Sequence, residues 1–278
     1  MAIIAMNREM GSLGKDVAHM VGEALGLKVT HHEIVDSLAD RMRLRKSHVI
    51  SYLHGKQSFF ERITTDEASM HIHTTDEIFS LAEVTPGIVL RGWGATALLR
   101  QVPHAICVRV CAPRELRATR MMERLDTDDR DRVLAEIANN DEAHGAIMRR
   151  HFNADASDAN HYDLVFNTER IVIQQCVDEI LRLAKSAQFA ETEDSIRLLH
   201  NLTLGSRVRA ALRRDERTRE CRISVDANEG NVVLAGIVAR HDEIGFCQMV
   251  AAGLPGVNAV TSVLTAMDNT RRPRGGSI

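Results

Sequence analysis

The stretch from Ile3 to Leu25, IIAMNREMGSLGKDVAHMVGEAL, constrains the fold more than any other part of the chain. Ile3-Ile4-Ala5-Met6 is a short apolar run of the kind that fills a buried parallel strand. Gly11 to Lys15 (GSLGK) follows as a turn carrying one cation. Beyond it Val17, Met20, Val21, Ala24 and Leu25 recur at i, i+3, i+4, i+7 and i+8, which is one face of a helix. A glycine loop that closes a strand and opens a helix turns backbone N–H groups and the positive end of the helix dipole toward one point. An anion, most often a phosphate, fits there. The candidate binding residues are Gly11, Ser12, Leu13, Gly14, Lys15 and Asp16.

Against the phosphate-loop pattern G-x-x-x-x-G-K-[ST], Gly14 and Lys15 fit, Glu9 stands at the first glycine, and Asp16 stands where a Mg²⁺-binding hydroxyl belongs. The residues of the loop alone also fit a glycine-rich turn with a surface lysine.

At 278 residues two compact units are expected, and 44% hydrophobic residues suffice for real cores. A net charge of −3 gives no global attraction to nucleic acid, so no specific nucleic-acid partner is expected. Cys107, Cys111, Cys176, Cys221 and Cys247 are scattered and form no C-x-x-C pair, as in a reduced, cytoplasmic chain. There is no basic segment followed by an apolar signal-like run, and no apolar run long enough to span a bilayer. His31-His32 and His71-Ile72-His73 lack the cysteine or carboxylate partners of a tetrahedral site, so no metal site is expected from them.

From His32 to Glu83 the residues are polar and helix-friendly, and several short helices are expected. Gly87 to Leu90, Ala105 to Val110 and Tyr162 to Asn167 are further strands, with helices at Ala95 to Arg100, after Pro113, at about Arg130 to Arg150 and at about Ile171 to Ala184. This alternation predicts an α/β fold, a parallel sheet flanked by helices with the site at the carboxyl ends of the strands. Residues 185–201 are expected as a linker, since Lys185 to Asp194 lacks periodic apolar spacing. Residues 202–267 then form a small α-β-β-α-β unit whose two first strands, Cys221 to Val225 and Asn231 to Ile237, flank a hairpin turn. The remainder, 268–278, is expected to be a disordered basic tail.

In the helix after Pro113, Arg114, Arg117, Arg120 and Arg124 fall within an arc of about 120°. Such a stripe is either a solvated face or a clamp on phosphates. In the next helix Asp141 and His144 interrupt an apolar stripe of Val133, Leu134, Ile137, Ile147 and Met148. They either pair internally or point into a wet cleft.

With these residues in view, residues 1–184 resemble the cytidylate kinase-like family, a branch of the P-loop nucleoside monophosphate kinases. The family's opening S-R-E-F-G-S-G-G-R-E-I-A is similar to Asn7 through Ala18, NREMGSLGKDVA, where Glu9 and Asp16 become expected residues. Its G-R-G-A-N is similar to Gly92-Trp93-Gly94-Ala95-Thr96, its A-P-x-E-L-R to Ala112 through Arg117, and its N-Y-D-L-V-x-N-T to His161 through Thr168. The sequence departs from the family at His31, where the family has Asp in Y-D-K-E-I, and at Trp93, where it has Arg.

The resemblance implies transfer of the γ-phosphoryl of ATP, with Mg²⁺, to a small acceptor such as the nucleoside monophosphate CMP. Lys15, Arg117, Arg120 and Arg124 are then the candidate catalytic residues, and His31, Glu33, Trp93, Asp141 and His144 the acceptor-site candidates. The departures at His31 and Trp93 also suit a nucleotide-binding sensor that has lost transfer.

Residues 202–264 resemble a BON domain through Val208-Arg209-Ala210-Ala211-Leu212, Val232 through Val238, and Gly256-Val257-Asn258-Ala259-Val260. That resemblance implies a protein or lipid-surface partner. A homo-oligomer is among the arrangements the sequence allows.

Overall fold

The computed structural model describes residues 2–30, 32–42, 44–47, 49, 66–92 and 94–267. The chain divides into two compact units, Met1–Ser195 and Ile196–Ile278. Among the described residues no helix is long and apolar enough to cross a membrane.

The first unit is built on five parallel strands, β1 (Ile3–Arg8), β2 (Lys28–Thr30), β3 (Ile88–Arg91), β4 (Ala105–Cys111) and β5 (Leu164–Asn167), in the spatial order β2-β3-β1-β4-β5. β1 lies centrally between β3 and β4, so the loop leaving it opens at the middle of the sheet's carboxyl edge. The three inner strands, β1, β3 and β4, are buried along most of their length on both faces, as a sheet covered on both sides requires.

On one face Ile4, Met6, Val108 and Val110 pack under α1 (Gly14–Leu25) and α7 (Ile173–Ala184), which contribute Val17, Val21, Cys176, Val177 and Ile180. Each of these large side chains adds about 1.5–3 kcal/mol of burial. Gly22 permits the fit of α1 on β2, because a Cβ there would stand 2.3 Å from Val29 Cγ2.

The other helices are α2 (His32–Met42), α3 (Glu67–Val84), α4 (Ala95–Leu99), α5 (Arg114–Leu125) and α6 (Arg130–Phe152). Asp66 caps α3 by accepting from the Ser69 N–H at 3.1 Å. Where several short helices are expected over 32–83, α3 instead runs unbroken for 18 residues, and residues 50–65 lie outside the described residues. The three-residue strand β2 was too short to show any periodicity.

Residues 185–201 differ from the expected linker. Ala187–Phe189 forms a 3₁₀ turn, Phe189 is buried in the core of the first unit, and α8 (Glu193–Arg214) is already helical from Glu193. A lone aromatic carries no period, which is why the segment reads as irregular.

The second unit has the element order α8, β6 (Arg222–Asn228), β7 (Asn231–Val238), α9 (His241–Ala252) and β8 (Ala259–Ala266). β6 and β7 are antiparallel, and β8 joins β7 in parallel after the α9 crossover. Asn228 pairs with Asn231 across a two-residue turn, where Glu229 and Gly230 both have positive φ, 50° and 83°. Leu204, Val208 and Leu212 of α8, spaced by four, bury one face of the sheet against Val225, Val232 and Leu234. The tail beyond Met267 lies outside the described residues.

Candidate functional site

The loop after β1 is shaped by tight backbone contacts. The Glu9 N–H donates to the Val110 carbonyl at 3.1 Å, and the Ser12 N–H to the Glu9 carbonyl at 3.2 Å. Gly11 has φ 79°, and a Cβ there would lie 2.7 Å from the Arg117 carbonyl oxygen. At Gly14 a Cβ would lie 2.7 Å from the Cβ of Arg8 and 3.1 Å from that of Val110. Glycine is thus required at both positions by close approach. Leu13, in the left-handed region at φ 63°, is the N-cap of α1 and offers no side-chain acceptor. The first N–H groups of α1 therefore keep their capacity to bind an anion.

Glu9, which occupies the place of a glycine in the common phosphate loop, is an internal brace. Its Oε1 accepts from Arg109 Nη2 at 2.7 Å, and its Oε2 accepts from the Ala112 N–H at 3.2 Å. Arg117 Nε lies 3.5 Å from the same Oε2 as an ion pair. Arg109 also donates to the Ala156 carbonyl and lies 6.0 Å from the centre of the Tyr162 ring. The carboxylate ties the loop to β4 and to α5.

The arginine stripe of α5 divides into three fates. Arg114 is exposed and donates to the Leu134 carbonyl at 3.3 Å, joining α5 to α6. Arg117 is 5% exposed and does not line the pocket beside the loop. Its Nη1 and Nη2 donate to the two carboxylate oxygens of Asp141 at 3.0 and 2.7 Å, and Nη1 also donates to the Met10 carbonyl at 3.3 Å. Burial lowers the Arg117 pKa, but the hydrogen bonds and charge of Asp141, then the charge of Glu9, outweigh it and leave it raised. Arg120 and Arg124 do line the pocket. Arg120 is held there by Thr168, donating to its Oγ1 at 2.9 Å and its carbonyl at 2.8 Å. The Thr168 hydroxyl in turn donates to the Ser12 carbonyl at 2.9 Å, so the end of β5 steadies both arginine and loop.

The pocket gathers Gly11, Leu13, Gly14, Lys15 and Asp16 of the loop with Arg8, Glu9, Arg120, Met121 and Arg124. Ser12 lies just beneath, fully buried, and its Oγ has no hydrogen-bond partner among the described residues. Lys15, Arg8, Arg120 and Arg124 face one space, with Asp16 as a carboxylate and Glu9 already engaged by arginines. The Arg8 pKa is pushed down to about 10, first by burial and then by the charges of Arg91 and Arg124, with Asp16 opposing. Such a pocket is arranged to be neutralised by a polyanion.

Arg8 and Thr168 escaped the sequence reading as site residues. Their signals were present: Arg8 ends the Ile4, Met6, Arg8 alternation with a cation on a buried face, and Thr168 closes the His161–Thr168 motif.

Of the acceptor-site candidates, Asp141 is the partner of Arg117, and His144 is half-buried three residues further along α6. Glu33 falls on α2 with its side chain outside the described part, while His31 and Trp93 lie outside the described residues. Among the described residues no group of three or more His, Cys, Asp or Glu side chains is placed to hold a metal ion.

A solved structure of an uncharacterized protein from Eubacterium ventriosum has a similar fold, with a TM-score of 0.53 at 19% identity over 67% of this chain and 99% of that one. Shikimate kinase from Bacteroides thetaiotaomicron aligns with a TM-score of 0.43 at 13% identity over 66% of this chain and 99% of its own. No curated protein sequence matches the chain. Residues 201–267 match the BON domain, and residues 3–170 match the cytidylate kinase-like family. With its strand order, its glycine loop at the central strand and a match over more than half its length, the chain belongs to the cytidylate kinase-like family.

Proposed function

We propose that the first unit transfers the γ-phosphoryl of ATP to a small acceptor, a nucleoside monophosphate such as CMP. The observation that carries this reading is the convergence of Lys15, Arg8, Arg120 and Arg124 on the uncapped N-terminus of α1. Backbone N–H groups from Gly11 to Lys15 cradle the β-phosphate, and Lys15 reaches from β to γ. Arg120 and Arg124 stabilise the charge that develops on the transferring group, and Thr168 keeps Arg120 in place. Arg117 acts through position instead: bound to Asp141 and Glu9, it holds α5 against the loop. Phosphoryl transfer of this kind needs alignment and charge more than a dedicated nucleophile.

Bound together with ATP, Mg²⁺ would supply neutralisation of the phosphate charge. Asp16, on the pocket wall in the first turn of α1, is the carboxylate that would hold that ion. A cytoplasmic setting, where ATP is available, suits this reading.

For the BON unit we propose docking of a protein or lipid surface on the uncovered sheet face, where Val233, Ile237 and Val263 are exposed on adjacent strands.

A phosphoryl-transfer assay across nucleoside monophosphates tests the enzyme reading, with Lys15→Ala as control. Lys15 is exposed, so its loss is expected to leave folding intact and lower kcat/KM at least about a hundredfold. ATP binding by the wild-type chain without transfer to any monophosphate would refute the kinase reading and leave a nucleotide sensor.

A further inference from the structure

Two cysteines fall in the second unit, Cys221 at the head of β6 and Cys247 in the middle of α9. In the first unit the thiols of Cys107 and Cys111 each donate to a backbone carbonyl, that of Thr96 at 3.4 Å and that of Phe166 at 3.3 Å. In the second unit thiol meets thiol, and the side chains of Cys221 and Cys247 are hydrogen-bond partners of each other.

The helix period accounts for this meeting. Glu243 and Cys247 are four apart on α9, so they lie on one face, one turn from each other. Cys221 stands against both: its Sγ lies 3.7 Å from Glu243 Oε2, and its side chain packs on the core cluster that contains Cys247. Glu243 is itself fixed, because the same Oε2 accepts from the Ala239 and Arg240 N–H groups at 2.9 and 3.2 Å. Cys221 is fixed from the other side. Its N–H donates to the Thr218 carbonyl at 3.0 Å, and the buried Thr218 hydroxyl donates to the Leu212 carbonyl at 2.7 Å.

The two thiols differ in access. Cys247 is fully buried, whereas Cys221 is half-buried. Burial raises the pKa of both, that of Cys247 to about 12, and at Cys221 the charge of Glu243 adds to burial. An oxidant from solvent therefore reaches Cys221 first, and Cys247 waits behind it, out of water.

We propose that Cys221 and Cys247 form a reversible dithiol site, which a hydroperoxide converts into an intramolecular disulfide that ties α9 to the head of β6. In the first step the Cys221 sulfur, as thiolate, attacks the peroxide oxygen. The S–O bond forms, the O–O bond breaks, and the leaving hydroxide takes the proton shed by the thiol, which gives a sulfenic acid and water. In the second step the Cys247 sulfur attacks the Cys221 sulfur. The S–S bond forms, the S–O bond breaks, and the leaving hydroxide takes the Cys247 proton as a second water. Two thiols lose two electrons to one peroxide. A dithiol reductant returns both thiols by exchange, as befits a transient disulfide rather than a structural one. This site stands independently of the phosphotransferase reading.

The experiment uses the full chain as wild type, Cys221→Ala and Cys247→Ala. Each is treated with hydrogen peroxide under native conditions, its remaining thiols are alkylated, and it is digested with trypsin without reductant. Cleavage after Arg219, Arg222 and Arg240 leaves Cys221 and Cys247 on separate peptides, so mass spectrometry reads a link between them directly. The wild type is expected to give that linked pair within one chain, and dithiothreitol to abolish it. In Cys247→Ala, Cys221 is expected to stop as a sulfenic acid that dimedone traps. In Cys221→Ala, Cys247 is expected to oxidise at least about tenfold more slowly than Cys221 does. Amide hydrogen exchange in α9 is expected to slow about tenfold or more in the linked wild type, because opening the helix away from β6 is then constrained.

A wild type in which Cys221 passes to sulfinic acid with no Cys221–Cys247 link would overturn the site. So would links between chains or to Cys111 in its place, or a link that forms only after the chain is unfolded in urea. The wild-type map decides these outcomes even where a variant fails to fold. Unchanged exchange in α9 of the linked chain would refute the tie between helix and strand.

Discussion

Asp141→Ala tests whether the α5–α6 pair supports the loop from below. Asp141 accepts two hydrogen bonds from Arg117 at 3.0 and 2.7 Å. A net hydrogen bond to a charged group contributes about 1.5–3 kcal/mol, so the pair of bonds bounds the loss at about 3–6 kcal/mol. Two observations reduce it. The Asp141 side chain is 38% exposed, so water already screens the pair, and Arg117 keeps Glu9 at 3.5 Å and the Met10 carbonyl at 3.3 Å after the substitution. The expected destabilisation of the first unit is about 2–3 kcal/mol, most of it from stranding a guanidinium whose side chain is 6% exposed.

Urea unfolding followed by tryptophan fluorescence measures it, because Trp93 is the single tryptophan and belongs to the first unit. The midpoint should fall with m unchanged. Arg117→Met added to Asp141→Ala should recover some of the loss, since the stranded charge is then absent. A loss below about 0.5 kcal/mol, typical of a solvated surface pair, would refute the reasoning. So would a double variant less stable than Asp141→Ala alone.

Gly11→Ala is expected to cost about 1–2 kcal/mol for the left-handed backbone, with a further loss from the 2.7 Å approach to the Arg117 carbonyl, and to weaken ATP binding. Gly26→Ala is the control, since φ is 65° there but nothing lies within 4 Å of the added Cβ; equal losses at the two sites would show that the loop is not pressed on α5. In the second unit, Arg217 donates to Asp215 from Nε and Nη2 at 3.0 and 2.7 Å and from its backbone N–H at 2.9 Å. These bonds, the side-chain ones first, push the Asp215 pKa down to about 2. A depressed carboxylate stabilises above its unfolded value of about 4 and loses that contribution as pH falls toward about 2. A carboxyl NMR titration of Asp215 should have its midpoint near the lower value, and Asp215→Asn should remove this acid dependence; a midpoint near 4 contradicts the assignment.

Much of the architecture was legible because its elements repeat a local period. The Val17, Val21 stripe made α1, and the apolar runs made β1, β3 and β4. The linker was misjudged because Phe189 docks alone, without a periodic pattern. The turn of the second unit was expected from composition across five residues, and pairing of Asn228 with Asn231 confines it to Glu229 and Gly230.

The sequence by itself determined that a glycine loop joins a strand to a helix, because glycine spacing and helix periodicity are local properties of the chain. Only the tertiary structure decided what each charge near that loop does. Arg114, Arg117, Arg120 and Arg124 are equivalent by spacing, yet Arg117 is consumed by Asp141, 24 residues away, while Arg120 is held by Thr168, 48 residues away. Glu9 serves as a brace because β4 and α5 bring Arg109 and Arg117 to it. Arg8 and Arg91 meet because β1 and β3 are neighbours in the sheet though 83 residues apart in the chain. Charge is written residue by residue, but its free energy depends on burial and partners, and those exist only once distant segments have packed.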